Sequence, residues 1–322
     1  MSRSTRRIAV LGGTGFVGTA LVSRLAAAGH ELRVLTRDPR NGRSFAVLPT
    51  VRVLQADAHD EAALRAAFTG CDTVVNLVGI LNEKGFSGAG FTHAHAELAR
   101  KTVAAAAASG VSRLLHMSAL GAAVDGPSFY LQSKGTAEGH VRAAPGSIAW
   151  TIFRPSVIFG AGDSFMNRFA GLLRLTGGVI PLARAGARFA PIWVDDVVTA
   201  FAYALEDRLP EAAMGHTALP GGSSIGQSYD LCGPEVFTLA ELVQLAGEMS
   251  GTRARVLPLP DAAARLQARL MDFVPGKPFS TDNYRSLTVD NICRDPGCER
   301  LGIRPVSLRA VGPRYLARYL AR

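Results

Sequence analysis

Cysteine is scarce in this chain, with four in 322 residues, and charge of one sign is hardly ever gathered into a block. Cys71, Cys232, Cys293 and Cys298 are scattered, and only the last two stand close together. With no third or fourth ligand beside that pair, no zinc site is expected. The thiols are expected to stay reduced, as in a cytosolic protein. His93 and His95 do not rescue a metal reading, because a spacing of two sends them to different sides of a helix. Lysine-rich blocks and basic stretches interleaved with aromatics are also missing. The net charge of +9, from 35 Lys and Arg against 26 Asp and Glu, therefore reads as a solvated basic surface and not as a nucleic-acid module. No apolar run reaches the length that spans a bilayer. The basic first residues lead straight into an apolar strand and a glycine turn; a cleaved leader would remove that turn, so none is expected. These absences point to a cytoplasmic protein, soluble or at most peripheral to the inner face of a membrane. One late stretch stands apart. Between Arg304 and Arg322, Arg309, Arg314, Arg318 and Arg322 alternate with Leu308, Val311, Tyr315, Leu316, Tyr319 and Leu320. This is the pattern of a basic amphipathic helix, expected to cap the fold, with an anionic membrane or a partner as the alternative contact.

What is present is enough apolar residue, 48 %, to bury a substantial core. The first half alternates short apolar runs with helical patterns. Strands are expected at Ile8–Leu11, Glu31–Thr36, Val51–Gln55, Thr73–Val78, Arg113–Met117 and Ala149–Phe153. Helices are expected at Phe16–Ala28, Glu61–Phe68, Ala94–Ser109 and Phe129–Ala143. Such alternation means parallel βαβ units, hence an α/β fold with a doubly wound parallel sheet covered on both faces. After Arg154 the rhythm breaks. Helical patterns return at Val194–Glu206, Leu239–Ser250, Asp261–Phe273 and Leu308–Ala321, while Leu209–Ser228 and Pro275–Asp282 read as loops rich in Gly, Pro and Ser. The expected division is a Rossmann core over residues 1–160 and a smaller substrate or partner lobe over 161–322, with segments that return to the core sheet. No internal repeat is apparent.

Gly12-Gly13-Thr14-Gly15-Phe16-Val17-Gly18 lies between an apolar strand and a helix, the context in which a glycine-rich turn holds a dinucleotide. The early glycines permit the tight turn, Gly15 lets the backbone approach a pyrophosphate, and Gly18 lets the helix pack closely. The phosphates would rest on the free N–H groups at the helix start. The second strand bears on which nicotinamide dinucleotide is held. An NAD site usually ends that strand with Asp or Glu for the ribose 2′-hydroxyl. Here Thr36 takes that place and Arg37 follows, a fork of donors suited to a 2′-phosphate, with Arg40 and Arg43 close behind. NADP(H) is the expected cofactor; NAD(H) is the alternative if Asp38 turns toward the ribose. Asp57, after the third strand, reaches either the adenine edge or the role of helix N-cap. Val78 and Gly79 end the fourth strand where the cofactor would pass close to the backbone.

Tyr130 and Lys134 are four apart on one helix face, and Ser118 ends the preceding strand at the carboxyl edge of the sheet. A tyrosine beside an ammonium is expected to have its pKa lowered, which suits it to acid/base work near neutral pH, with Ser118 holding a substrate oxygen.

With these residues the sequence resembles the short-chain dehydrogenase/reductase superfamily in its extended or atypical branch, over nearly its whole length. Tyr130-Leu131-Gln132-Ser133-Lys134 is similar to that superfamily's Tyr-x-x-x-Lys site. Arg154-Pro155-Ser156-Val157-Ile158-Phe159-Gly160 resembles the segment that lines the nicotinamide, which brings in Pro155 and Val157. Pro191–Val197 resembles the hinge between lobes. Arg154–Asn167 and Leu270–Pro278 are most similar to the group around the 39-kDa accessory subunit of respiratory complex I, which includes coenzyme-Q-biosynthesis relatives. The resemblance implies Tyr130 as acid/base, Lys134 as ribose anchor and Ser118 as assistant. It implies one of two functions: an oxidoreductase acting on a carbonyl or hydroxyl of a small or isoprenoid-like molecule, or an accessory protein that holds NADPH without turnover in a respiratory or quinone-synthesis assembly.

Overall fold

The structure, a computed structural model, describes residues 5–207, 222–275 and 277–320. Short strands that are apolar on both faces can persist only inside a covered sheet, and seven of them assemble one. They are β1 (Arg7–Leu11), β2 (Glu31–Thr36), β3 (Val51–Gln55), β4 (Thr73–Asn76), β5 (Arg113–Met117) and β6 (Ala149–Pro155), with a late seventh considered below. All neighbours are parallel, in the order seventh-β6-β5-β4-β1-β2-β3. The chain runs outward from β1 to β3, then restarts on the other side of β1 with β4. That reversal leaves a crevice at the carboxyl ends of β1 and β4, where folds of this kind receive ligands.

Helices α1 (Phe16–Ala27), α2 (Glu61–Phe68), α3 (Ala89–Phe91), α4 (Leu98–Ala108) and α5 (Phe129–Arg142) connect these strands. The expected helix from Ala94 starts earlier: α3 and α4 are joined by a π-helical stretch, Thr92–Glu97. On one face of the sheet Val17, Leu21 and Leu25 of α1 pack with buried strand residues such as Val10 and Val34. On the other, Leu64 and Phe68 of α2, Ala99 and Ala105 of α4, and Ala137 and Val141 of α5 close over Ala9, Leu11 and Val74.

The second half continues with β7 (Ile158–Phe159), α6 (Met166–Leu175), β8 (Val179–Leu182), β9 (Arg188–Phe189), β10 (Ile192–Trp193) and α7 (Val194–Glu206). Then follow β11 (Gln227–Leu231), β12 (Phe237–Thr238), α8 (Leu239–Met249), β13 (Arg255–Pro258), α9 (Asp261–Met271), α10 (Thr281–Ser286), α11 (Gly297–Arg300) and α12 (Leu308–Leu316). Two of these serve the main sheet. Helix α7 joins the α1 layer through Val197 and Phe201, and β11 is the seventh strand, pairing Gln227 with Thr151 and Leu231 with Pro155. The remainder packs around Phe159, Met166, Leu242, Leu308 and Leu316.

Several local expectations are corrected. Of the Leu209–Ser228 loop, residues 209–221 lie outside the described residues, but Gln227 and Ser228 open β11. Their strand state comes from a partner 76 residues away, and Tyr229 and Leu231 are buried once it forms. Gly276 also lies outside the described residues, and Thr281 and Asp282 belong to α10. That helix starts at Ser280, whose hydroxyl and Asn283 form a reciprocal capping box. The four thiols are not all reduced: Cys232 and Cys293 form a disulfide, while Cys71 and Cys298 are buried thiols. A separation of 61 residues hid that pair, and the fold brings the exit of β11 beside the segment after Asn291. Helix α12 does cap the fold, burying Leu308, Tyr315 and Leu316 in the second core; Ala321 and Arg322 lie outside the described residues.

Candidate active site

The turn after β1 is shaped by close backbone contacts. Gly12 has φ +76°, and a Cβ on it would stand 3.1 Å from the backbone of Leu77 and Val78. A Cβ on Gly18 would lie 2.3 Å from the Gly12 carbonyl oxygen, so any side chain there would drive α1 off the turn. Gly15 is the N-cap of α1; no side chain caps this helix and no acidic residue stands in its first turn. Its positive end and free N–H groups are thus left for an anion. Thr14 is half-buried and Val17 buried, while the ring of Phe16 rests toward Gly160 and Gly162, where an added Cβ would meet it at 3.1 Å. Phe16 therefore leans on the loop after β7.

At the end of β2, the buried Thr36 hydroxyl donates to the Asp38 carbonyl at 3.0 Å. The Asp38 carboxylate is occupied by Arg40, accepting its backbone N–H at 3.0 Å and its guanidinium at 2.7 Å, which holds the carboxyl below its ordinary range. Arg37 is exposed and has no partner among the described residues. Asp57 is not the N-cap of α2. Asp60 fills that place, and Asp57 accepts the His59 N–H at 2.9 Å.

Across the crevice, α5 begins at Ser128, and Tyr130 sits in its first turn. The two carboxylate oxygens of Asp282 accept the N–H groups of Phe129 and Tyr130, at 2.7 and 3.1 Å. A residue some 150 positions later thus fixes the helix start that carries the phenol. One turn on, the buried Lys134 ammonium donates to the Met117 carbonyl at 3.2 Å. A Cβ on Gly79 would stand 3.1 Å from that nitrogen, so Gly79 leaves room beside it. Ser118, next after Met117, is buried and its hydroxyl has no partner. A buried unpaired hydroxyl costs about 1–3 kcal/mol, and this one follows directly on the carbonyl that receives the Lys134 ammonium. Pro155 is buried and its carbonyl accepts the Leu120 N–H at 3.0 Å. Val157 N–H and the Ser156 hydroxyl both donate to Asn291 Oδ1, at 3.0 and 2.6 Å.

Residues 12–165 match the NAD(P)H-binding family. The NADH dehydrogenase (ubiquinone) 1 alpha subcomplex subunit 9 of Arabidopsis thaliana is 31 % identical, over 96 % of this chain and 77 % of that protein. The chain belongs to the short-chain dehydrogenase/reductases of the complex I 39-kDa-subunit-like group. A ceramide reductase of Caulobacter vibrioides is 30 % identical over 82 % of this chain and 77 % of that one. Among solved structures, the NADPH-dependent quinone oxidoreductase of Escherichia coli superposes with a TM-score of 0.71, at 20 % identity, covering 95 % of this chain and 98 % of the other. At that identity the likeness speaks for the fold alone.

Within this family member the electrostatics differ from the sequence expectation. Burial pushes the Tyr130 phenol up to about 12 and the Lys134 ammonium down to about 8, against the pull of Glu138. Loss of water sets both shifts, so in the protein alone the Tyr130 phenol lies above its ordinary value and not below it. Glu138 is itself gripped by Arg154 and Arg142, which ties α5 to the end of β6.

Sequence reasoning passed over His95, which was weighed only as a metal ligand. It lies on the π-helical stretch, a distortion common at functional sites. Its Nε2 accepts the Ile80 N–H at 3.0 Å, and its Nδ1 lies 2.8 Å from the Ser133 hydroxyl, which donates to the Tyr130 carbonyl. Those partners assign a neutral ring with the proton on Nδ1, and burial beside Lys134 lowers its pKa to about 2. The ring stands edge-on to Tyr130 at 5.6 Å and orients it. His93 points elsewhere, to Glu97 and a stack on His59. Local sequence carries no signal for Asp282 or Asn291, whose partners lie across the fold.

Proposed function

We propose that this chain is an NADP(H)-dependent oxidoreductase that interconverts a carbonyl and a hydroxyl on a small or isoprenoid-like, quinone-related molecule. The observation that carries the reading is the buried, partnerless Ser118 hydroxyl beside the site of Lys134 and Tyr130. A site kept only for holding a cofactor gains nothing from that unpaired group. The cradle also fits a dinucleotide: the glycine turn excludes any Cβ at Gly18, and α1 opens without a cap.

In this reading the Gly12–Gly18 turn, with Thr14, Phe16 and Val17, holds the pyrophosphate. Arg37 faces the 2′-phosphate, Asp57 the adenine edge, and Val78 and Gly79 flank the chain of the cofactor. Pro155 and Val157 line the nicotinamide side. When bound, the dinucleotide supplies the hydride. Lys134 anchors ribose hydroxyls, and Ser118 donates to the substrate oxygen. Tyr130 gives its proton to that oxygen as charge develops on it, which avoids the cost of forming a free phenolate at neutral pH. The 30 % identity with a ceramide reductase over 82 % of this chain supports a reduction of this kind.

Purified protein is expected to bind NADPH ahead of NADH, with Arg37→Ala narrowing the gap by about tenfold or more, the worth of a charge-assisted hydrogen bond. Equal affinities in the wild type refute the assignment to Arg37. Tyr130→Phe is expected to abolish NADPH-dependent turnover in a ketone, sugar and quinone-precursor screen while leaving NADPH affinity nearly intact; full activity refutes the role of Tyr130. A second reading, a non-turnover NADPH-holding accessory of a respiratory or quinone-synthesis complex, is favoured by the 31 % identity with the plant respiratory subunit over 96 % of this chain. Tightly held NADPH with no turnover on the whole screen, together with co-purification in a membrane complex, would support it instead.

A further inference from the structure

Helix α9 is built inside out. The residues it buries are Ala264 and Ala268, whereas Leu266 and Leu270 are 58 and 61 % exposed. Phe273 (79 % exposed) and Val274 follow in the turn that ends it. At 100° per residue, Leu266 and Leu270 share the side opposite the two alanines, and exposed Phe273 follows them from the turn. Surface helices of water-soluble domains do the reverse, turning Leu and Phe inward. Phe86, from the segment after β4, is 61 % exposed and lies 5.7 Å from the Phe273 ring, widening the apolar patch.

Cations border it. Lys277 lies 4.1 Å over the Phe86 ring, Arg265 flanks the helix, and Lys84 and Arg269 are exposed without partners among the described residues. Of the nearby carboxylates, Glu83 is buried on the N–H groups of Gly88 and Gly90, Asp272 accepts from Thr281, and Asp261 pairs with Arg265, which leaves Lys84 and Arg269 as the exposed charges of the border unpaired among the described residues. An apolar face with a basic border complements an anionic lipid surface. A second copy of this chain fits poorly, because two-fold pairing of the patch would set its basic borders against each other.

We propose that α9, with Phe86 and its bordering cations, seats the protein on the surface of an anionic phospholipid bilayer. The patch is tied to the active-site crevice: Asn283 donates to the Leu81 carbonyl, Asn82 to that of Lys277, and Asp282 holds the start of α5. Docking would bring the Tyr130 helix near the lipid headgroups, where amphipathic molecules concentrate. This surface is independent of whether the site turns over.

The test is co-sedimentation of the full chain with vesicles of phosphatidylcholine, with and without phosphatidylglycerol. Binding is expected on the anionic vesicles and should weaken as salt screens the cations. Leu270→Asp/Phe273→Asp should lower partitioning by about a hundredfold or more, the transfer of two large apolar side chains. Lys84→Glu/Arg269→Glu should remove the preference for anionic vesicles. Circular dichroism and NADPH binding check that the variants fold. Because the aspartates perturb the helix end, Phe273→Trp gives a gentler readout: the indole emission should shift blue and be quenched by brominated lipid. Wild-type protein that stays unbound, binding unchanged by the aspartates, an unquenched indole, or a patch that instead drives self-association in sedimentation equilibrium would each overturn the proposal.

Discussion

Replacing Gly18 with alanine sets two effects of opposite sign against each other. In a helix, alanine is favoured over glycine by about 1 kcal/mol. At this position, however, the new methyl would meet the Gly12 carbonyl oxygen at 2.3 Å and the Gly13 Cα and carbonyl carbon at 2.6 and 2.7 Å. All three are backbone atoms of a tight turn and cannot rotate aside, so α1 must withdraw by roughly 1 Å to reach ordinary contact. Overpacking of this kind costs about 1–3 kcal/mol, and contact with three fixed atoms places it at the upper end. The net expectation is a loss of about 1–2 kcal/mol in stability. The helix end that would hold the pyrophosphate retreats with it, so NADPH affinity should fall by about tenfold or more. Gly139 is the matched control. It lies in α5 with nothing within 4 Å of an added Cβ, so Gly139→Ala should gain up to about 1 kcal/mol and leave NADPH affinity alone. Denaturant melts and fluorescence titration with NADPH measure both. If Gly18→Ala is as stable as Gly139→Ala and binds NADPH as the wild type does, the close packing of α1 on the turn is not what shapes the site.

Three further outcomes follow from the same geometry. Ser118→Ala removes a buried hydroxyl that has no partner, so the melting temperature should hold or rise while turnover falls by about tenfold or more; a parallel loss of both would make Ser118 a structural residue. Lys134 has its pKa lowered from 10.5 to about 8, so below about 8 it is protonated in both states and the fold carries the full burial cost. Between about 8 and 10.5 the unfolded chain binds a proton that the folded one lacks, so this group makes stability rise with pH there. Urea midpoints of cofactor-free protein should show that rise, and Lys134→Met should flatten it; an unchanged slope would contradict the burial. Reducing Cys232–Cys293, which closes a span of 61 residues, should cost about 2–4 kcal/mol and loosen the hold of Asn291 on Val157, read as a lower melting temperature with dithiothreitol and weaker NADPH binding. No shift on reduction would mean the bridge constrains nothing in the unfolded chain.

The first half of the fold was legible because its information is local. Apolar runs such as Ile8–Leu11 and Thr73–Val78, of which the strand takes Thr73–Asn76, can survive only between helices, and a glycine turn between strand and helix needs no distant partner to be recognised. Tyr130, Lys134 and Ser118 were legible for a related reason: helix spacing and the end of a strand put them at one edge of the sheet before any tertiary contact is considered. Strand Gln227–Leu231 was not, because its pairing with Ala149–Pro155 and the burial of Tyr229 come from across the fold. Periodicity likewise marks Asp261–Phe273 as helical, but which side of it meets water depends on what it packs against.

From residue order alone came the parallel sheet, the turn that would receive a diphosphate and the trio at its rim. Only the folded chain could decide the proton affinities of Tyr130 and Lys134, since the first rises and the second falls through loss of water, which no spacing encodes. Folding also decided which distant groups steady the site, namely Asp282 on the start of the Tyr130 helix and Asn291 on Val157. Those contacts join segments more than a hundred residues apart, and they exist only once the second half has closed against the first.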